Sequence, residues 1–122
     1  MAAARGCIGA RFRPHGRNVA YGLDCVGVAG VAFGRVVPAD YPLRGGPIER
    51  IVKLIGRAGL TRIASAIAGA GDLLLVDAGL GQLHLAVLTD VGFVHADVGL
   101  RRVVETPGRP AGLVVAAWEE QG

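Results

Sequence analysis

The chain has 122 residues and a net charge of +3, with 52% hydrophobic and 19% charged residues. That length and balance suit one globular domain with its own core, and they exclude a disordered chain. The charge is modest and the basic residues are scattered, densest at Arg11, Arg13 and Arg17, so no nucleic-acid platform is expected.

Two cysteines do not make a disulfide framework, and there is no pair of Cys-x-x-Cys units for structural zinc. No cofactor is implied. The first ten residues lack the long apolar stretch of a signal peptide. No uncharged run approaches the ~18 residues of a membrane span. The expectation is a protein made in the cytoplasm without a signal peptide, with any export by another route.

Residues 2–10 are Ala-rich and predict a short helix that contains Cys7 and Ile8, although Gly6 and Gly9 weaken it. Cys7 reads as a small core residue; a disulfide from it to Cys25 would block that thiol. Residues 11–22 form a polar loop punctuated by Pro14 and Gly16. His15 in this loop is a surface residue or lines a cleft.

Leu23 to Val36 predicts a buried helix capped by Asp24. Gly27, Gly30 and Gly34 fall on one helical face, which suggests close approach of a sheet; the other reading is that they break the segment. Pro38 to Pro47 is a turn-rich connector. Residues 48–70 fit two amphipathic helices broken near Gly56 and Gly59.

After Gly71 the pattern changes to strands. Asp72–Asp77, Gln82–Thr89, Gly92–Asp97, Arg101–Thr106 and Gly112–Trp118 are short, Val/Leu-rich and separated by Gly, Pro or Asp. Helices followed by strands predict an α+β domain with an antiparallel sheet of about five strands.

Cys25 opens the helix predicted from Leu23, beside unpaired N–H groups and the positive end of the macrodipole. Such a site predicts a lowered thiol pKa. His84 and His95 lie downstream on predicted strands. A nucleophile, a base and a group that orients the base are what thiol acyl transfer needs. If Thr89-Asp90 forms a two-residue turn, His84 lies opposite His95 on the same face of a hairpin. A three-residue turn at Asp90-Val91-Gly92 would offset that pairing. Taken singly, a buried Cys is packing and a strand His is a core histidine. A metal site built from Cys25, His84 and His95 is compatible by ligand type but lacks a local ligand pair.

The sequence resembles the NlpC-type cell-wall cysteine peptidases, which have a compact papain-like fold. Leu23-Asp24-Cys25-Val26-Gly27 matches the family's Asp-Cys-x-Gly nucleophile motif. Val26 is similar to the branch found in bacteriophage tails and gene transfer agents. Gly9-x-x-Phe12-Arg13-x-x-Gly16-Arg17 is similar to the family's Gly-x-x-Tyr/Phe-x-x-Gly-Gly loop, and Gly71-Asp72-Leu73-Leu74 matches the stretch that opens its sheet. His84 falls in the catalytic-histidine strand, with Leu85-Ala86 replacing the common Val/Ala-Gly. Phe93-Val94-His95-Ala96 matches the strand carrying the third polar residue. The resemblance spans about Gly9 to Trp118.

The resemblance implies hydrolysis of peptide bonds in peptidoglycan stem peptides. Cys25 would be the nucleophile and supply an oxyanion-hole N–H, His84 the general base and acid, and His95 the group that orients His84. Asp24, Phe12 and Tyr21 would contact substrate, with the cap an equally good role for Asp24. Phe12 stands where many members have a Tyr and lacks its hydroxyl; Tyr21 is a candidate substitute. The implied partners are stem peptides and other tail or baseplate proteins of a phage-like particle that delivers the domain to the cell wall. Rival readings are a non-hydrolytic structural or wall-binding tail component and an acyltransferase.

Overall fold

The helix that carries Cys25 is apolar nearly all round, and such a helix must be buried. In the computed structural model, which describes residues 1–35, 48–79 and 82–120, this helix packs against one face of a six-stranded sheet. The helices are α1 (Ala2–Arg5), α2 (Cys25–Phe33) and α3 (Ile48–Arg57). A small hairpin, β1 (Arg17–Asn18) and β2 (Gly22–Leu23), precedes α2. The main sheet comprises β3 (Thr61–Ile63), β4 (Leu73–Asp77), β5 (Leu83–Leu88), β6 (Gly92–Asp97), β7 (Arg102–Pro107) and β8 (Leu113–Glu119). Its order is β3-β8-β4-β5-β6-β7, with antiparallel neighbours throughout. No helix among the described residues is long and apolar enough to cross a membrane.

The sheet is apolar on both faces. Leu73, Leu75, Leu85, Val87, Val94 and Trp118 join the main core with α2 and with Ile51 and Ile55 of α3. The alternate residues Leu74, Val76, Ala86, Leu88 and Phe93 form a second cluster with Ala68, which lies beside the 3-10 turn Ser65–Ile67. Burial on both faces explains why β4 and β5 read as near-continuous apolar runs.

The five predicted strands appear within a residue or so of their expected bounds. The sixth, β3, corrects the second helix expected after Gly59: Thr61, Arg62 and Ile63 pair with β8 instead. β-branched residues and the unpaired edge of β8 outweigh the helical spacing there. The Arg11–Gly22 loop contains β1 and backbone bridges from Arg11 to Arg102 and from Phe12 to Leu23. The expected connector Pro38–Pro47 lies outside the described residues.

The glycine face of α2 also needs correction. Gly34 ends the helix in the left-handed region at φ 63°. Gly27 does meet a close neighbour, but that neighbour is the preceding loop and not the sheet: a Cβ at position 27 would overlap the Gly16 carbonyl. Gly27→Ala should therefore lower stability by about 1–3 kcal/mol, through overpacking, despite the better helix propensity of Ala. Urea denaturation of the two proteins checks this.

Candidate active site

Asp24 fixes where Cys25 sits. Its backbone is extended (φ −99°, ψ −174°), and Oδ1 accepts the Gly27 N–H at 2.8 Å as an N-cap. The same oxygen accepts Arg17 Nη1 at 3.0 Å, while Oδ2 accepts the His15 N–H at 2.8 Å. His15 has a positive φ of 59°, and its N–H faces this carboxylate. One carboxylate, 3% exposed, thus ties the loop to the first turn of α2. Both its oxygens are committed to internal donors, which supports the cap role expected for Asp24.

The sulfur sits where two strands part. The Leu88 N–H donates to the Asp72 carbonyl at 2.8 Å, on the β4 side. Alternation along the strand then turns the N–H groups of Leu85 and Val87 toward β6. Among the described residues, β5 and β6 pair only at Val87↔Val94 and Leu88↔Phe93. Beyond this the Leu85 N–H has no strand partner, and it meets Cys25 instead. A cleft of about 160 Å³ opens here, lined by Phe12, Asp24, Cys25, Gln82, Leu83, His84, Ala96 and Val98.

His84 and His95 lie on the same face of the β5–β6 hairpin. His84 Nε2 is 2.8 Å from His95 Nδ1, and the rings meet edge to face. The register differs from the expected one by two residues. The turn is Asp90-Val91, with the Thr89 N–H bonded to the Gly92 carbonyl at 2.8 Å and the Gly92 N–H to Thr89 Oγ1 at 2.9 Å. Leu88 consequently faces Phe93, not Val91. Continued outward, this register brings Asp97 opposite His84, and His95 reaches it diagonally. Thr89 stands in the flank and not in the turn because its hydroxyl caps the Gly92 N–H.

The remaining expected site residues divide. Phe12 lines the cleft, as does Asp24. Tyr21 is 71% exposed and does not line it, so it does not replace the missing hydroxyl of Phe12. Cys7 is buried away from the cleft, with Sγ 3.6 Å from the Ala3 carbonyl, and both cysteines are free. The sequence reading missed Thr106, whose Oγ1 is 3.1 Å from His95 Nε2, and Asp97, whose Oδ2 is 4.0 Å from the same nitrogen. Asp97 was discoverable, since it lies two residues from His95 and so on the same face. Thr106 depended on the β6–β7 register.

The electrostatics correct one expectation. Burial pushes the Cys25 thiol up to about 12; the Leu85 N–H opposes this and the Asp24 charge adds to it. The N–H groups of Val26 and Cys25 also pull it down, but they do not outweigh desolvation of a sulfur whose residue is 4% exposed. Burial likewise pushes His84 down to about 4, helped by His95 and opposed by Asp97, and it lowers His95. The resting site is therefore a thiol beside two neutral imidazoles. No hydrogen bond joins Cys25 to His84 among the described residues.

The histidine shift has a sign. The unfolded chain takes up the His84 proton near 6.5, the folded chain only near 4. Its contribution to stability is thus complete above about pH 6.5 and falls away toward pH 4, by up to about 1.4 kcal/mol per pH unit. Denaturant midpoints should fall as the pH is lowered through this window, and His84→Gln should flatten the slope.

No protein-family model matches the chain, and no curated protein matches it by sequence. Among solved structures, the crystal structure of the NlpC/p60 domain of the peptidoglycan hydrolase SagA superposes with a TM-score of 0.57 at 24% sequence identity. The match covers 87% of this chain and 84% of that one. With its few helices packed on an antiparallel sheet, the chain has the papain-like fold of NlpC/p60 domains.

Proposed function

We propose that this domain is a cysteine endopeptidase that hydrolyses peptide bonds in peptidoglycan stem peptides. One observation carries this reading. Cys25 at the start of α2 and His84 line one cleft, and His95 is hydrogen-bonded to His84 behind it, on the fold of a domain from a peptidoglycan hydrolase.

In this mechanism Cys25 attacks the scissile carbonyl and its proton passes to His84. Nε2 of His84 is engaged by His95, so Nδ1 is the nitrogen that receives the proton. With the thiol near 12 and His84 near 4, the ion pair forms only as the sulfur attacks. The Cys25 N–H, at the positive end of α2, stabilises the oxyanion. His84 then gives its proton to the leaving amine, and water activated by the same nitrogen hydrolyses the acyl-enzyme. His95 holds the ring of His84.

The Asp-Cys-Val-Gly motif supports delivery of the domain to the cell wall within a phage-tail-like particle, alongside other tail or baseplate proteins. Cofractionation with particles tests this; independent export would overturn it.

A second reading is favoured by the buried neutral thiol and by Phe12 in place of a Tyr: a wall-binding or structural component that keeps the fold without hydrolysis. Mass spectrometry of purified peptidoglycan after incubation separates the two. New free amines and carboxylates within stem peptides are expected from the wild type. Sedimentation with sacculi without cleavage would establish the second reading. Cys25→Ala should abolish cleavage while leaving the thermal transition in place, and Cys7→Ser should keep most of the rate. Residual activity of Cys25→Ala within tenfold of wild type would remove Cys25 from the nucleophile role.

A further inference from the structure

The hydroxyl of Thr106 ends a chain of three polar side chains that begins at the cleft: Thr106 Oγ1, His95 and His84. Each imidazole is neutral, so each carries one N–H and one bare nitrogen. The proton positions along the chain are therefore linked. If His95 holds its proton on Nε2, its Nδ1 is bare and must accept from His84 Nε2–H. His84 Nδ1 is then bare and can act as a base. If His95 holds its proton on Nδ1, every bond reverses, and His84 presents an N–H where a base is needed.

Threonine alone does not choose between these states, because a hydroxyl both donates and accepts. Asp97 does. Its Oδ1 is occupied by the Leu100 N–H at 3.0 Å, and Oδ2 stands 4.0 Å from His95 Nε2. A carboxylate there favours a proton on that nitrogen, and Thr106 accepts it. Residues 95 and 97 share a face of β6, and Thr106 comes from β7, so three strands contribute to the chain.

We infer that Asp97 and Thr106 are positioning residues that set the tautomer of the His95–His84 pair and leave Nδ1 of His84 free to take the thiol proton. This rests on the peptidase reading for its consequence, but the tautomers themselves do not depend on it. Nothing new is oxidised or transferred: the proton that leaves Cys25 stays on His84 until the amine departs.

The test is ring-nitrogen NMR of histidine-labelled protein near neutral pH, with kinetics on peptidoglycan. Wild type should show protons on Nε2 of both His84 and His95. Asp97→Asn and Thr106→Val should raise the share of the Nδ1–H tautomer, and Thr106→Ser should restore the wild-type pattern. Thr106→Val should lower kcat about tenfold or more with KM little changed, and Thr106→Ser should recover most of it. An Nδ1–H tautomer on wild-type His84, or a pattern unmoved in both variants, would overturn the inference whether or not the enzyme cleaves. Absence of cleavage with the expected tautomers would count against the peptidase reading alone. The wild-type spectrum gives the answer even if a variant fails to fold.

Discussion

The position of the thiol depends on one buried carboxylate. Asp24 accepts from the first turn of α2, from the backbone of His15 and from the side chain of Arg17, so the loop and the helix are fixed to each other at one point. A buried carboxylate without donors would be costly, and here each oxygen has at least one. The absence of a side chain at Gly27 lets the Gly16 carbonyl come close enough for this arrangement. The loop in turn brings Phe12 to the cleft wall, through backbone bonds to Arg101 and Leu23. Cap, loop and cleft wall are thus one mechanical unit.

On the other side of the cleft the sheet supplies the two histidines. The histidines project from the face that carries the second apolar cluster, with Phe93 packed against the His95 ring at 4.7 Å. Cys25 belongs to the opposite, main core. The two meet because β5 and β6 separate beyond Val87, which opens the sheet where the start of α2 approaches. The opening also leaves the Leu85 N–H to the sulfur. Desolvation then dominates the charge state, which favours the neutral thiol and the neutral imidazoles.

Much of this was legible in the sequence. Strand bounds followed from Val/Leu runs between Gly, Pro and Asp, because those residues interrupt ladders for direct steric reasons. Asp24 as cap and the His84–His95 pairing on one face followed from helix-start chemistry and strand alternation. Three things were not legible. β3 resembles helix by spacing, and its β-branched residues become a strand through pairing with the edge of β8. The thiol at a helix start was expected to ionise, but its burial comes from the packing of β5 and not from local sequence. The turn moved by one residue because the Thr89 hydroxyl bonds the Gly92 N–H, a side-chain preference weaker than the turn signals around it.

The Asp90-Val91 turn gives the hairpin the character of a reading frame of two. The ladder can shift by two residues about a turn of the same length while the histidines still point to the same side, as the difference between the expected and observed registers illustrates. An insertion or deletion of one residue, if absorbed by slipping the ladder, would exchange His95 for Val94 or Ala96 beside His84. A change of one residue in this turn is therefore compatible with the pair only where the loop itself or a bulge takes it up and the ladder stays in place.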